Sequence, residues 1–162
     1  MTTPVFDKLT FRKDEFYKYE IIGDAFNPKD YGLSPKQFGS HCWKGFICFY
    51  EVLNKQLYLR HLIILSENYP ILNNVKAQPA DPTYKYCGSG CFIYEQPFGY
   101  FNLNLKLEFT GILEAGDFSS HFEPPYRKEK PDYLFFEKGV LKKIKRTRKS
   151  FSYFLRRLKK YM

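Results

Sequence analysis

The chain lacks several of the features that most readily announce a function. It has no run of about eighteen apolar residues, which excludes a membrane-spanning helix. Its opening residues, MTTPVFDKLTFRKDEF, are charged and alternating where an export signal needs an apolar stretch. The expected location is therefore cytoplasmic, and the four cysteines are expected as reduced thiols rather than as a framework of bridges. No glycine- or serine-rich joint divides the 162 residues, so a single domain, 1–162, is expected. No phosphate loop of the form GxxxxGK[ST], no compact C-x2-C zinc pair, no glycine-rich KH loop and no paired RRM aromatics occur. Cofactors are accordingly expected to be none.

Acidic residues are missing from one region in particular. Lys138 to Met162 holds eleven of the 26 Lys and Arg residues and no Asp or Glu, whereas the other 137 residues carry 15 basic and 17 acidic side chains. The net charge of +9 thus belongs to the end of the chain, and the body is close to neutral.

What is abundant is aromatic: 17 Phe and 14 Tyr, against one Trp. Such side chains favour half-buried pleated surfaces, and Tyr can keep its hydroxyl in water at an edge. Val5 to Phe11 and Phe16 to Ile22 read as strands. Asn27 to Gly39 reads as a loop, with a helical turn after Ser34 started by Pro35. Trp43 to Val52 and Gln56 to Leu65 form a hairpin signal. In the second run Leu57, Leu59 and His61 alternate, and Ile63, Ile64 and Leu65 break the pattern, as at a strand end covered on both faces. Asn68 to Pro82 is a polar connection with a short strand near Ile71 and Val75, and Tyr84 to Ile93 reads as an interrupted strand. Phe101 to Phe109 has period two over nine residues and predicts a half-solvated strand. Gly111 to Phe118 follows as another. Asp132 to Glu137 and Val140 to Ile144 flank Lys138–Gly139, a two-residue hairpin turn. The total is about eight to ten strands without crossover helices, which disfavours a parallel sheet. The fold class expected is mostly β: an antiparallel β-barrel or two-layer sandwich, 1–145, with a short basic C-terminal helix, 146–162, packed on the body. Phe151, Phe154, Leu155, Leu158 and Met162 supply that helix with an apolar stripe.

The candidate binding patch is Lys142, Lys143, Lys145, Arg146, Arg148, Lys149, Arg156, Arg157, Lys159 and Lys160. Uncompensated positive charge favours an external negative surface. The favoured reading is non-enzymatic docking of an acidic protein partner. Nucleic acid is the alternative, through salt-sensitive phosphate contacts. An interfacial helix on an anionic membrane is weaker, because its apolar face is wanted by the body, and integral membrane association is not expected.

Within the body, Cys42, Cys48, Cys87 and Cys91 with His41, His61 and His121 have poor zinc spacing. Cys42 and Cys48 on one regular strand face would stand about 20 Å apart. Cys87 and Cys91, across Gly88-Ser89-Gly90, leave a metal site with His41 or Cys42, or a disulfide, as open alternatives. A small hydrolase-like enzyme with carboxylates near Asp117, drawing on Glu108 and Glu114, is a third class, and the chain is short for a sugar cleft.

One local resemblance accompanies this reading. Trp43-Lys44-Gly45, followed by Tyr50-Glu51-Val52 and Gln56-Leu57-Tyr58-Leu59, resembles a Trp-x-Gly hairpin of small bacterial all-β proteins of uncharacterised role, some of them regarded as immunity or accessory factors. The likeness spans seventeen residues and implies a cytosolic β protein that acts by binding.

Overall fold

The computed structural model describes residues 5–11, 19–37, 39, 42, 44–80, 95–118 and 131–146. The strand expected at Tyr84 to Ile93 and the segment 147–162 lie outside the described residues. Among the described residues ten strands are formed: β1 (Asp7–Phe11), β2 (Tyr19–Ile22), β3 (Phe46–Leu53), β4 (Gln56–Ile64), β5 (Gln78–Pro79), β6 (Phe98–Tyr100), β7 (Leu105–Lys106), β8 (Gly111–Gly116), β9 (Asp132–Glu137) and β10 (Val140–Lys145). Seven of them follow the order β10-β9-β8-β2-β1-β3-β4 and close into a barrel where Val140 pairs with Gln56. The other three, β5, β6 and β7, extend the sheet from β4.

The expected mostly-β, largely antiparallel barrel is formed, and one part of the expected fold class, the helix, is corrected. The described residues contain no α-helix; their one helical element is a 3-10 turn, Pro28–Tyr31. The basic C-terminal helix expected over 146–162 is not supported: Arg146, the one described residue of that span, is not helical, and β10 before it is a strand that pairs with β4. The sheet is also not wholly antiparallel, because β1 and β3 pair in parallel from Lys8 opposite Phe49 to Phe11 opposite Val52. A parallel neighbour needs a long crossover, and residues 23–45 provide it, with no α-helix among their described residues. The helical turn in that crossover comes earlier than Ser34. Asn27 caps it by accepting the Lys29 N–H at 3.2 Å, and Pro28 takes the first position.

Both predicted hairpins form. Asn54 and Lys55 take φ of 49° and 65° between β3 and β4, and Lys138 and Gly139 take 48° and 81° between β9 and β10. Two consecutive positive φ values match the right-handed twist of the flanking strands. The break in alternation along β4 has a local cause. Phe49 pairs with His61 and Tyr50 with Leu59, so Arg60 is an extra residue that reverses the phase. Leu57 and Leu59 face the barrel interior before it, and Leu62 and Ile64 after it. Ile63 and Leu65 then fall on the outside, in a second small core with Cys42, Ile47 and Ala80.

The regular strand expected over Phe101 to Phe109 is not formed as such. Asn102 and Asn104 adopt φ of 54° and 47°, which breaks the extended chain. Only Leu105–Lys106 pairs as a strand, while Leu103 and Leu107 drop into the main core. The Asn residues that looked like a solvent face are turn residues, a role their side chains tolerate better than most.

Candidate functional site

Three places on the described molecule hold the polar and charged chemistry. The first is the end of the barrel where β1 and β3 begin. Asp7 is buried, accepts the Cys48 N–H at 2.9 Å and pairs with the Lys44 ammonium at 2.6 Å. Lys44 lies 4.5 Å over the Phe46 ring and remains about one-third exposed. Burial pushes the Asp7 carboxyl above its ordinary range, against the pull of Lys44 and of the Cys48 N–H. Burial works to lower Lys44, and the Asp7 carboxylate outweighs it, so the ammonium is held above its usual value. Cys48 and Tyr50 point into the same interior. Burial raises both groups strongly, and the Tyr50 hydroxyl has the Cys48 thiol as a neighbour without a hydrogen bond of good geometry. A thiol held neutral is a poor nucleophile. This cluster therefore fixes the parallel β1–β3 register and offers no activated group.

The cysteines are not on one face. The chain turns at Lys44–Gly45 before β3 begins, so Cys42 lies in the outer core and Cys48 in the inner one. This corrects the strand geometry expected of the pair. Cys42 donates to the Phe46 carbonyl at 3.4 Å, and burial pushes its thiol up to about 11. His61 stands between the Phe49 and Phe101 rings and accepts the Asn102 N–H on Nδ1 at 2.9 Å. Burial, helped by Arg60, lowers its affinity for a proton. Cys87, Cys91, His41 and His121 lie outside the described residues. Among the described residues no group of three or more His, Cys, Asp or Glu is placed to hold a metal ion.

The carboxylates considered for catalysis are dispersed. Glu108 and Asp117 are exposed beyond opposite ends of β8. Six intervening strand residues span about 20 Å, whereas paired glycosidase carboxylates stand about 5–10 Å apart. Glu114 is on the outer face of β8, opposite Tyr133.

The second place is the outer face of β8, β9 and β10. Register assigns each side chain. Leu113 pairs with Leu134 and Gly111 with Phe136, and the leucines and Phe136 face the core, so Ile112 and its partner Phe135 face out. Ile112 is 50% exposed, and Ile22 on β2 is 43% exposed. On β10 Lys143 pairs with Phe135 and Lys145 with Tyr133, which puts both lysines on the same outer face as these rings. The Lys143 Nζ is 5.8 Å from the Phe135 ring centre. Between Leu141 and Lys143 the register shifts by one, leaving Lys142 as a bulge residue. Lys142, Lys143, Lys145 and Arg146 are all exposed. Arg148, Lys149, Arg156, Arg157, Lys159 and Lys160 lie outside the described residues.

The third place is the mouth of the barrel at the opposite end from Asp7. Phe11, Tyr19, Ala115, Asp132, Leu134, Ile144 and Arg146 enclose a cavity of about 260 Å³ there. Asp132 pairs with Ala115, whose methyl is in the core, so its carboxylate is on the inner face. The sequence reading did not single out this group. Asp132, Leu134 and Phe136 do share one strand face by alternation, but Tyr133 and Phe135 make the other face equally apolar, and nothing local says which one is inside.

No family model, curated protein or solved structure matches the chain.

Proposed function

We propose that this protein is a non-enzymatic binding protein that docks an acidic protein partner on the outer face of β8, β9 and β10. The observation that carries the reading is the placement of Lys143 and Lys145 beside Phe135 and Tyr133, next to the exposed Ile112. Apolar side chains at the centre give a partner something to bury, while lysines at the edge select and steer a negative surface. The uncompensated charge of the remaining C-terminal sequence adds to the same field. The Trp-x-Gly hairpin resemblance also implies action by binding, and a cytoplasmic setting suits the free thiols Cys42 and Cys48. Among the described residues no helix is long and apolar enough to cross a membrane.

The test is affinity capture with three full-length forms: the natural chain, a form with Lys142, Lys143, Lys145 and Arg146 changed to Ser, and Ile112→Ser. Acidic proteins captured by the natural chain should be lost from both variants and should survive nuclease treatment. Equal capture by all three forms overturns the proposal. Loss of capture on nuclease treatment overturns it too, in favour of nucleic acid.

A further inference from the structure

His61 takes no part in the docking face, and it sits where the sheet is irregular. It ends a row of paired outer-face residues that crosses four strands: Glu20 on β2, Lys8 on β1, Phe49 on β3 and His61 on β4. Arg60, just before it, is the bulge residue. On one side of the bulge β6 pairs with Leu62, Ile63 and Ile64, and on the other β7 pairs with Tyr58 and Leu59. Residues 101–104 bridge the gap, with Asn102 and Asn104 in the left-handed conformation. A bulge interrupts the ladder, and two amides of the bridge take what it leaves. The Leu103 N–H donates to the Arg60 carbonyl at 2.8 Å, and the Asn102 N–H donates to His61 Nδ1 at 2.9 Å. Leu103 is also held by the main core and by Asn73 Nδ2, which donates to its carbonyl at 2.8 Å.

The Asn102 bond differs from the rest because its acceptor can become a donor. An imidazole that accepts on Nδ1 carries its proton on Nε2 and is neutral. A second proton goes to Nδ1, and two N–H groups would then face each other across 2.9 Å. A carbonyl in that place would hold Asn102 at every pH, whereas the ring holds it only while neutral. The charged and titratable groups on the same face of the neighbouring elements are Arg60, Tyr58 and Lys106, Glu51 on β3, and Lys8 and Glu20 beyond Phe49. Both carboxylates already meet a cation: Glu51 the Arg60 guanidinium at 3.1 Å, and Glu20 the Lys8 ammonium at 3.0 Å. The bridge itself, Phe101 to Asn104, brings no charge. Burial, and after it Arg60, disfavours the imidazolium, so the ring takes its proton below the ordinary value of 6.5.

We propose that His61 is a proton-released latch on the 101–104 bridge: the neutral ring holds Asn102 against β4, and the imidazolium lets it go. The fold favours the neutral ring, so the latch contributes fully above about 6.5, and its contribution is lost as pH falls through the lower folded value. Opening is local, because Leu103 keeps the Arg60 carbonyl and its place in the core. What is released is Asn102 with the adjoining Phe101 ring, which is already 41% exposed.

Nitrogen-15 NMR of the full chain from about pH 8 to about pH 5, the range in which histidine changes charge, tests this. At neutral pH the His61 ring should carry its proton on Nε2. As the ring titrates, with a midpoint below 6.5, the Asn102 amide should shift with it. Over the same range its protection from exchange, relative to the intrinsic rate, should fall roughly fivefold, the worth of one neutral hydrogen bond. The Ile47 amide in the β3–β4 ladder should keep its protection. His61→Gln, whose carbonyl accepts but does not titrate, should keep Asn102 protected throughout, and His61→Leu should leave it unprotected at every pH. A neutral ring protonated on Nδ1, an Asn102 protection that ignores the titration of the ring, or an equal pH response in His61→Gln each overturns the proposal.

Discussion

Lys44 offsets part of what burial costs the Asp7 carboxyl, which it meets in a place withdrawn from water. The carboxylate accepts the Cys48 N–H and faces the ammonium at 2.6 Å, so it joins the start of β1 to the start of β3. Removing the cation leaves the acceptor in place and takes away its compensation. Lys44→Met should destabilise the protein by about 3 kcal/mol at neutral pH, the lower end for breaking a buried pair, because Lys44 itself is partly exposed. The pH dependence has a definite sign. The folded Asp7 carboxyl titrates above its unfolded value of 3.8, so the folded state holds its proton more tightly. Its contribution is therefore favourable at low pH and is lost as pH rises through the folded value. Without Lys44 that value moves higher still. Urea unfolding across the acid range should show the deficit of Lys44→Met shrinking as pH falls towards about 4. A deficit that is constant with pH would mean that Lys44 acts through its packing on Phe46 and not through Asp7.

At the scale of elements, the turns were legible and the irregular segments were not. Lys138–Gly139 was visible because a two-residue turn leaves a signature in adjacent positions, whereas the first hairpin was visible from its flanking runs, with Leu53 read into the connection although it belongs to β3. Phe101 to Phe109 had an equally regular pattern and did not form one strand, because Asn102 and Asn104 take the left-handed conformation. Alternating hydrophobicity records which side chains are buried, and a chain with turn-like Asn residues can bury the same Leu103 and Leu107 without being extended. The irregular segment matters because the β9–β10 turn rests on it. The Gly139 N–H donates to the Phe109 carbonyl at 2.7 Å, and the Lys138 N–H donates to Thr110 Oγ1 at 2.9 Å. A Cβ on Gly139 would overlap the Leu107 carbonyl and the Gln56 amide, and its φ is 81°. Gly139→Ala should thus destabilise by about 2–4 kcal/mol, combining left-handed strain with overpacking. Chemical denaturation measures this directly. A loss under about 1 kcal/mol, less than left-handed strain alone costs, would show that the turn is not held against 107–110 in solution.

At the scale of the molecule, barrel closure was beyond reach from sequence, since it depends on Val140 meeting Gln56 across 84 positions and no local pattern encodes that meeting. The same gap hid the mouth, whose walls come from β1, β2, β8, β9 and β10 and become neighbours only when the circle closes. The basic character of β10 was readable, but the face on which its lysines stand followed only from the register with β9. Closure is also narrow. The one paired position is held by two backbone bonds, the Leu57 N–H on the Gly139 carbonyl at 2.8 Å and the Leu141 N–H on the Lys55 carbonyl at 2.7 Å. Gln56 reinforces it from the side through its Nε2, which donates to the Leu107 carbonyl at 2.9 Å. The β3–β4 ladder, by contrast, runs over eight register pairs through the centre of the core. A seam with few bonds opens locally at lower free energy than a long buried ladder. In native-state hydrogen exchange the Leu57 and Leu141 amides should therefore exchange well before those of Ile47 and Ile63, which pair across the β3–β4 ladder. Gln56→Ala should speed exchange at the two seam amides further while leaving the slowest β3–β4 amides nearly unchanged. Uniform acceleration throughout the sheet would instead mean that the barrel opens only by unfolding as a whole, and that its seam is as strong as its centre.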